Sequence, residues 1–282
     1  DTPEVGGLEE DLIVRYGVGG VCFFKGTTEN LAARAKHYQR AARVPLLMSI
    51  DGEWGLGMRM TDIPAFPKQL CLGALSDNRP IYAMGKEIAR QMRAIGLHMN
   101  FAPVADINNN PANPVINERS FGSGRKEVTA KVFAYLRGLE DGGVLACLKH
   151  FPGHGDTDVD SHADLPVLAH TRQRLDSLEL YPFAALLALK PAAVMTGHLH
   201  IPELDATPQL SASLSPEIAG ALLREELGFE GLIVTDALEM QGVTRNFTDD
   251  EIAIRAFEAG SDVLLLHRNV PAAIDAIEAA LV

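Results

Sequence analysis

The stretch of this chain densest in reactive side chains is Lys149-His150-Phe151-Pro152-Gly153-His154-Gly155-Asp156-Thr157-Asp158-Val159-Asp160-Ser161-His162. Three histidines and three aspartates stand there among glycines. The run has neither a helical nor a strand period, which predicts a loop at the C-terminal end of a strand. Imidazoles and carboxylates suit two kinds of chemistry, proton transfer near neutral pH and metal ligation. The pair His198-x-His200 extends the metal alternative, and a solvated acidic loop is the bland one. Elsewhere, capable residues stand at the ends of short apolar runs: Asp51, Asp106, Lys149-His150, His198 and Asp236. Asp236 reads either as a helix N-cap or as a carboxylate held rigidly by the strand it ends.

Those runs must be the positioning elements. Seven are nearly continuous in apolarity, as strands covered on both faces must be: Gly20–Phe24, Pro45–Ile50, Met99–Val104, Val144–Leu148, Ala192–Thr196, Leu232–Thr235 and Asp262–Leu266. Helical periods separate them at Glu29–Arg43, Arg79–Ile95, Lys126–Asp141, Thr171–Leu189, Pro216–Leu227 and Asp249–Ala259, with N-caps expected at Thr28, Thr171, Ser215 and Thr248. Repeated βα units imply a parallel sheet, either open and doubly wound or closed as a barrel. An open sheet gathers its ligand at one switch point, whereas a barrel collects groups from many strand ends on one face. Five strand ends with capable side chains fit the barrel, and no Gly-x-Gly-x-x-Gly follows the first strand. The fold class is therefore α/β, a (β/α)8 barrel of TIM type. One strand is short of eight, because a helical segment at about 8–16 precedes the first strand found. Either the first strand lies outside this chain, or the barrel is an incomplete one of seven strands.

Composition sets outer limits. A length of 282 residues with 47% hydrophobic side chains suits a single large domain, here residues 1–282. A net charge of −12 argues against nucleic acid or an anionic membrane surface as partner. No apolar stretch approaches the roughly 20 residues that span a bilayer. Cys22, Cys71 and Cys147 are odd in number and widely spaced, which reads as reduced thiols and a cytoplasmic location. Asp1 is not an initiator Met, so a removed leader, and with it a periplasmic or secreted location, stays open.

The run Lys149-His150-Phe151-Pro152-Gly153-His154-Gly155-Asp156-Thr157, followed by Asp160-Ser161-His162, resembles the signature of the bacterial β-N-acetylglucosaminidases of glycoside hydrolase family 3. The likeness extends over nearly the whole chain. It takes in Gly19-Gly20-Val21, Asn100 to Asp106, Arg119-Ser120-Phe121-Gly122 and Ile233-Val234-Thr235-Asp236-Ala237-Leu238-Glu239-Met240, in the family's order. The resemblance implies that Asp236 is the nucleophile, His162 the acid/base and Asp160 its partner. It implies that Asp51, Arg59, Arg119, Lys149 and His150 bind the sugar, and that neither a metal nor an organic cofactor is needed. It further implies exo-hydrolysis of β-linked N-acetylglucosamine from amino-sugar glycosides or muropeptide fragments, in bacterial wall recycling. The chain departs from the family at Glu53-Trp54-Gly55-Leu56-Gly57-Met58-Arg59, where better-known members carry a Gly-Gly-Arg run. Trp54, the only tryptophan, is either an aromatic plate beside the sugar or a packing residue.

The residue types fit that chemistry independently. Retention needs one group to attack the anomeric carbon and another to protonate the leaving oxygen. An imidazole serves as the acid because it both gives and takes a proton near neutrality. Asp160, two residues before His162, can hold that ring in one tautomer. Three other readings use the same residues: a phosphorylase, since an imidazole repels phosphate less than a carboxylate would; a metal-dependent barrel hydrolase; and a sugar-binding barrel without turnover.

Overall fold

A computed structural model of the chain describes residues 6–161 and 164–281. Six strands follow one another across the sheet in chain order: β1 (Gly20–Phe23), β2 (Leu47–Ile50), β3 (Met99–Asn100), β4 (Leu145–Phe151), β5 (Ala193–Thr196) and β6 (Leu232–Thr235). All five pairings are parallel. Parallel neighbours need a crossover, supplied by helices Thr28–Ala41, Arg79–Ala94, Arg125–Asp141 and Pro216–Glu226 and by the short pair Arg172–Ser177 and Tyr181–Leu187. A strand order that never reverses belongs to a curling barrel wall rather than to a doubly wound sheet.

Alternation along the strands separates two cores. Ala146, Leu148, Val194 and Ile233 face outward into the large cluster shared with the helices. Cys147, Ala193, Met195 and Val234 turn to the other side and, with Met99 and Phe101, fill the concave interior. A period of two is what a strand between two packed layers must show.

Several boundaries differ from the sequence reading, each for a local reason. β3 stops at Asn100 instead of Val104; the Ala102 N–H turns to the Asn100 carbonyl, and Val104 rejoins only through a single bridge to Lys149. β4 runs past Leu148 to Phe151, so Lys149 and His150 are strand residues and the loop starts after them. Its register against β5 shifts between Leu148 and Phe151. The run 262–266 is not a full strand: it pairs with β6 through one bridge, Val234 to Val263, and the Thr235 N–H donates to the Val263 carbonyl at 3.0 Å. The helix expected over 171–189 is two helices broken at Leu178–Leu180, with Pro182 in the first turn of the second. The first helix is capped by Thr27, not Thr28, because the backbone N–H and hydroxyl of Thr28 both donate to Asp62. Thr171, Ser215 and Thr248 cap as expected.

Helices Arg79–Ala94 and Arg125–Asp141 brace the wall behind β2 to β4, and two glycines let their backbones meet. A Cβ on Gly138 would lie 2.4 Å from the Tyr82 carbonyl oxygen, and one on Gly85 would lie 2.8 Å from that of Tyr135. Gly138→Ala gains about 1 kcal/mol of helix propensity but overlaps backbone that cannot yield, which costs about 1–3 kcal/mol. The overlap dominates, so thermal melting should fall by roughly 2–4 °C. A melting point at or above wild type would show that the two helices are not locked at this contact.

Candidate active site

The chain turns away from β2 at Asp51, whose carboxylate collects two cations. Arg59 donates from Nη2 to Oδ2 at 3.1 Å and from Nε to the Asp51 carbonyl at 3.1 Å. Lys149, brought alongside by β4, donates to Oδ1 at 2.7 Å. Two residues on, Glu53 is buried with 1% of its side chain exposed. Arg119 grips it with two nitrogens, Nε at 3.0 Å and Nη2 at 2.7 Å, while Lys149 Nζ lies 2.8 Å from Oε1. Burial alone would push the Glu53 carboxyl up, towards the protonated form. The adjacent Arg119 and Lys149 charges reverse that and hold the carboxyl well below the usual range. Lys149 is likewise held protonated: burial works against the charge, but Asp51 and Glu53 outweigh it.

Arg119 also fixes the next residue of β4. Its Nη2 lies 3.3 Å from His150 Nε2. The Nδ1 of His150 donates to Asp106 Oδ2 at 2.7 Å. Asp106 is buried and also accepts from the backbone N–H groups of His150 and His154. Burial pushes Asp106 up, yet the His150 and His154 contacts bring it below its ordinary value.

The loop after β4 is pinned at its start. Asn113 Nδ2 donates to the carbonyls of His154 and Gly155, at 2.8 and 3.1 Å, and to Thr157 Oγ1. Gly155 presses so closely on Ile107 that a Cβ would lie 1.8 Å from its carbonyl oxygen. The His154 ring spans the loop between Thr157 Oγ1 at 2.7 Å and Ser161 Oγ at 3.2 Å. Burial, together with the neighbouring His150, pushes His154 down to about 4, so it is a neutral strut. At the far end the Gly242 N–H donates to the Ser161 carbonyl at 3.1 Å.

Asp236 follows β6 directly. Its backbone N–H donates to the Thr196 carbonyl at 2.9 Å, and its Oδ1 accepts from the Ala237 N–H at 2.8 Å. Burial opposes its charge, but His198, His150, the Ala237 N–H and Lys149 bring it down to about 2. His198 itself lies between Ser213 Oγ and the Ala237 carbonyl.

Asp51, Arg59, Arg119, Lys149, His150 and Asp236 all line one cavity of about 250 Å³, with His154 and Ser161 in its wall. The sequence reading thus converges on one place for these six. Asp160 belongs to the described loop and accepts the Asp164 N–H at 2.9 Å, whereas His162 lies outside the described residues. Trp54 is not among the lining residues and carries the Lys68 ammonium 5.2 Å from its ring centre. Phe24 is the lining aromatic instead, with Arg59 over its face. Among the described residues, no group of three ligand-type side chains includes His198 or His200; His200 Nδ1 lies 3.1 Å from the Leu210 carbonyl oxygen. Sequence reasoning missed Glu53 and the strut His154. The signal for Glu53 was its spacing, two residues after Asp51 in the stretch that departs from the family. His154 stood in the quoted loop, but its burial could not be read there. No helix among the described residues is long and apolar enough to cross a membrane.

A sequentially wound parallel wall with charged groups at its strand ends is a wall of the (β/α)-barrel kind. The N-terminal domain model of glycosyl hydrolase family 3 matches residues 7–282, and the chain belongs to that family. It is 37% identical over 279 residues to β-hexosaminidase A of Pseudoalteromonas piscicida, covering 91% of this chain and 47% of that protein. It is 35% identical over 285 residues to β-hexosaminidase LpqI of Mycobacterium tuberculosis, covering 96% and 72%. Among solved structures, a family 3 β-N-acetylglucosaminidase from Paenibacillus sp. str. FPU-7 superposes with a TM-score of 0.92 at 41% identity, over 96% of this chain and 53% of that one. The chain therefore spans about half the length of the Pseudoalteromonas and Paenibacillus proteins.

The Glu53 pairing yields a measurable expectation. Glu53→Gln keeps the shape but leaves Arg119 and Lys149 facing each other without their shared anion. Breaking a buried pair from one side costs about 3–5 kcal/mol. Urea unfolding should show a loss of about 3 kcal/mol with an unchanged slope. A loss under about 1 kcal/mol would mean that Asp51 alone suffices to neutralise both cations.

Proposed function

We propose that residues 1–282 form the catalytic barrel of an exo-acting, retaining glycosidase that removes non-reducing terminal β-linked N-acetylglucosamine, with peptidoglycan fragments as its natural substrates. The observation carrying this reading is the gathering of Asp236 with Asp51, Arg59, Arg119, Lys149 and His150 around one cavity. The relatives' names as β-hexosaminidases and a β-N-acetylglucosaminidase support the sugar.

On this reading Asp51 accepts from sugar hydroxyls while Arg59, Arg119, Lys149 and His150 complete their hydrogen bonding. Asp236, ionised and aimed from β6, attacks the anomeric carbon, and the bond to the leaving oxygen breaks as the His162 imidazolium supplies that oxygen with a proton. Water then attacks the same carbon and gives its proton to the neutral His162 ring. The Asp236 carboxylate departs, and the sugar keeps its β configuration. Asp160 orients His162 and favours its charged form.

The first test compares p-nitrophenyl β-N-acetylglucosaminide with the β-glucoside. Nitrophenol should come from the former, and Asp236→Asn should lower that turnover by about a thousandfold or more with the fold intact. Preference for the glucoside would change the substrate class, and near-normal turnover by the variant would remove Asp236 from its role. The second test concerns the acid. His162→Ala should lose far more with a disaccharide than with the nitrophenyl glycoside, because nitrophenolate leaves without a proton, and azide should restore turnover by needing no base. Equal losses on both substrates and no azide effect would place the acid elsewhere.

A further inference from the structure

Outside the cavity lining, three ligand-type side chains meet without taking part in the chemistry above. Asp156 comes from the loop itself, His170 from the segment that follows it, and Glu179 from the break between the two short helices. One ligand atom from each lies within 4.8 Å of the others. His170 Nε2 is 2.8 Å from Asp156 Oδ2. Glu179 has 3% of its side chain exposed, and its Oε2 is buried with no hydrogen-bond partner. A buried carboxylate oxygen without a donor is costly, and a cation bound against it would remove the cost.

We infer that Asp156, His170 and Glu179 form a site for a borderline divalent cation such as Zn²⁺. Two carboxylates and one imidazole are a normal three-ligand set for that ion, and a fourth position is left for water. His170 would present Nε2 as a lone pair with its proton on Nδ1, and the three ligand atoms need only small shifts to surround one ion.

A built-in competitor occupies the site. The Arg174 guanidinium reaches Asp156 Oδ2 at 3.3 Å and Glu179 Oε1 at 3.0 Å. Its fit is incomplete, since its Nε is buried without a partner and Glu179 Oε2 is left unpaired. With 35% of its side chain exposed, Arg174 can swing to solvent when the metal enters. A doubly charged ion neutralises both carboxylates, which the single charge of Arg174 does not. Glu179 also packs on Gly153, where a Cβ would lie 2.8 Å from the Glu179 Cβ. The metal would therefore fasten Asp156 in mid-loop to the scaffold beneath the start of the loop.

The probe is Zn²⁺ alone, titrated calorimetrically into the metal-stripped protein. The expected result is one ion per chain and a melting temperature that rises with Zn²⁺ concentration. His170→Ala and Glu179→Gln should each weaken binding at least tenfold. Arg174→Gln should tighten it by roughly tenfold, because a like charge within a few ångströms is removed. The direction of that last change distinguishes a metal site from an ion-pair cluster, in which Arg174 holds the group together and its loss creates no affinity. His170 is partly exposed, so its alanine variant keeps the test valid if Arg174→Gln folds poorly. No saturable binding by wild type, or binding unchanged by His170→Ala and Glu179→Gln, overturns the inference. Neither outcome depends on glycosidase activity.

Discussion

A carboxylate sealed from water must be answered by cations inside the protein, and at Glu53 the answer comes from two separate parts of the chain. Arg119 arrives from the turn Asn117–Arg119 and Lys149 from β4, while Glu53 itself follows β2. Each partner has a second obligation. Lys149 also serves Asp51, and Arg119 also lies against Nε2 of His150. Once Glu53 is in place, the orientations of Asp51, Lys149, Arg119 and His150 follow, and Asp106 closes the set by accepting a hydrogen bond from His150 Nδ1.

Such a network is not an argument for stability. Desolvating these charges opposes folding, and apolar residues of similar volume often do as well or better. What the network provides is geometry. A guanidinium held by both oxygens of one carboxylate cannot rotate, and an ammonium between two carboxylates has a single position. The backbone supports that rigidity: the Glu53 carbonyl accepts from Gln69 Nε2 at 2.7 Å and from the buried Tyr135 hydroxyl at 2.9 Å. A sugar pocket needs such fixed donors, because hydroxyl recognition fails when the protein groups can follow any ligand.

Legibility in the sequence followed physical scale. Apolar runs covered on both faces identified all six strands, because burial on two sides leaves a compositional mark. Strand ends were less visible. β3 stops at Asn100, after which the Ala102 N–H turns to the Asn100 carbonyl, and β4 continues through Lys149 and His150, whose polarity imitates a loop. The positions of Asp51, Arg59, Arg119, Lys149, His150 and Asp236 around one cavity were expected from their strand ends and from the family likeness. Glu53 was not, since a buried acid and a solvated one look alike in sequence until the partners are known. His154 was hidden in the opposite way: among many polar neighbours, nothing marked it as the one whose ring spans the loop.

Asp236 shows why the surroundings matter more than the residue type. Burial by itself favours the protonated carboxyl, and a protonated acid cannot attack carbon. The two imidazoles, the Ala237 N–H and Lys149 reverse that and hold it near 2, so it is anionic over the whole neutral range. On the proposed mechanism, any loss of rate on mild acidification then points to another group. The same surroundings set a limit, because each added cation that stabilises the anion also makes it a poorer nucleophile. Lys149 spends its hydrogen bonds on Asp51 and Glu53 and acts on Asp236 only through its field. Among the described residues, the Ala237 N–H donates to Oδ1 of the Asp236 carboxylate at 2.8 Å. Among the described residues the charge is thus favoured by groups acting through space together with one backbone N–H, which is the state that the proposed chemistry needs.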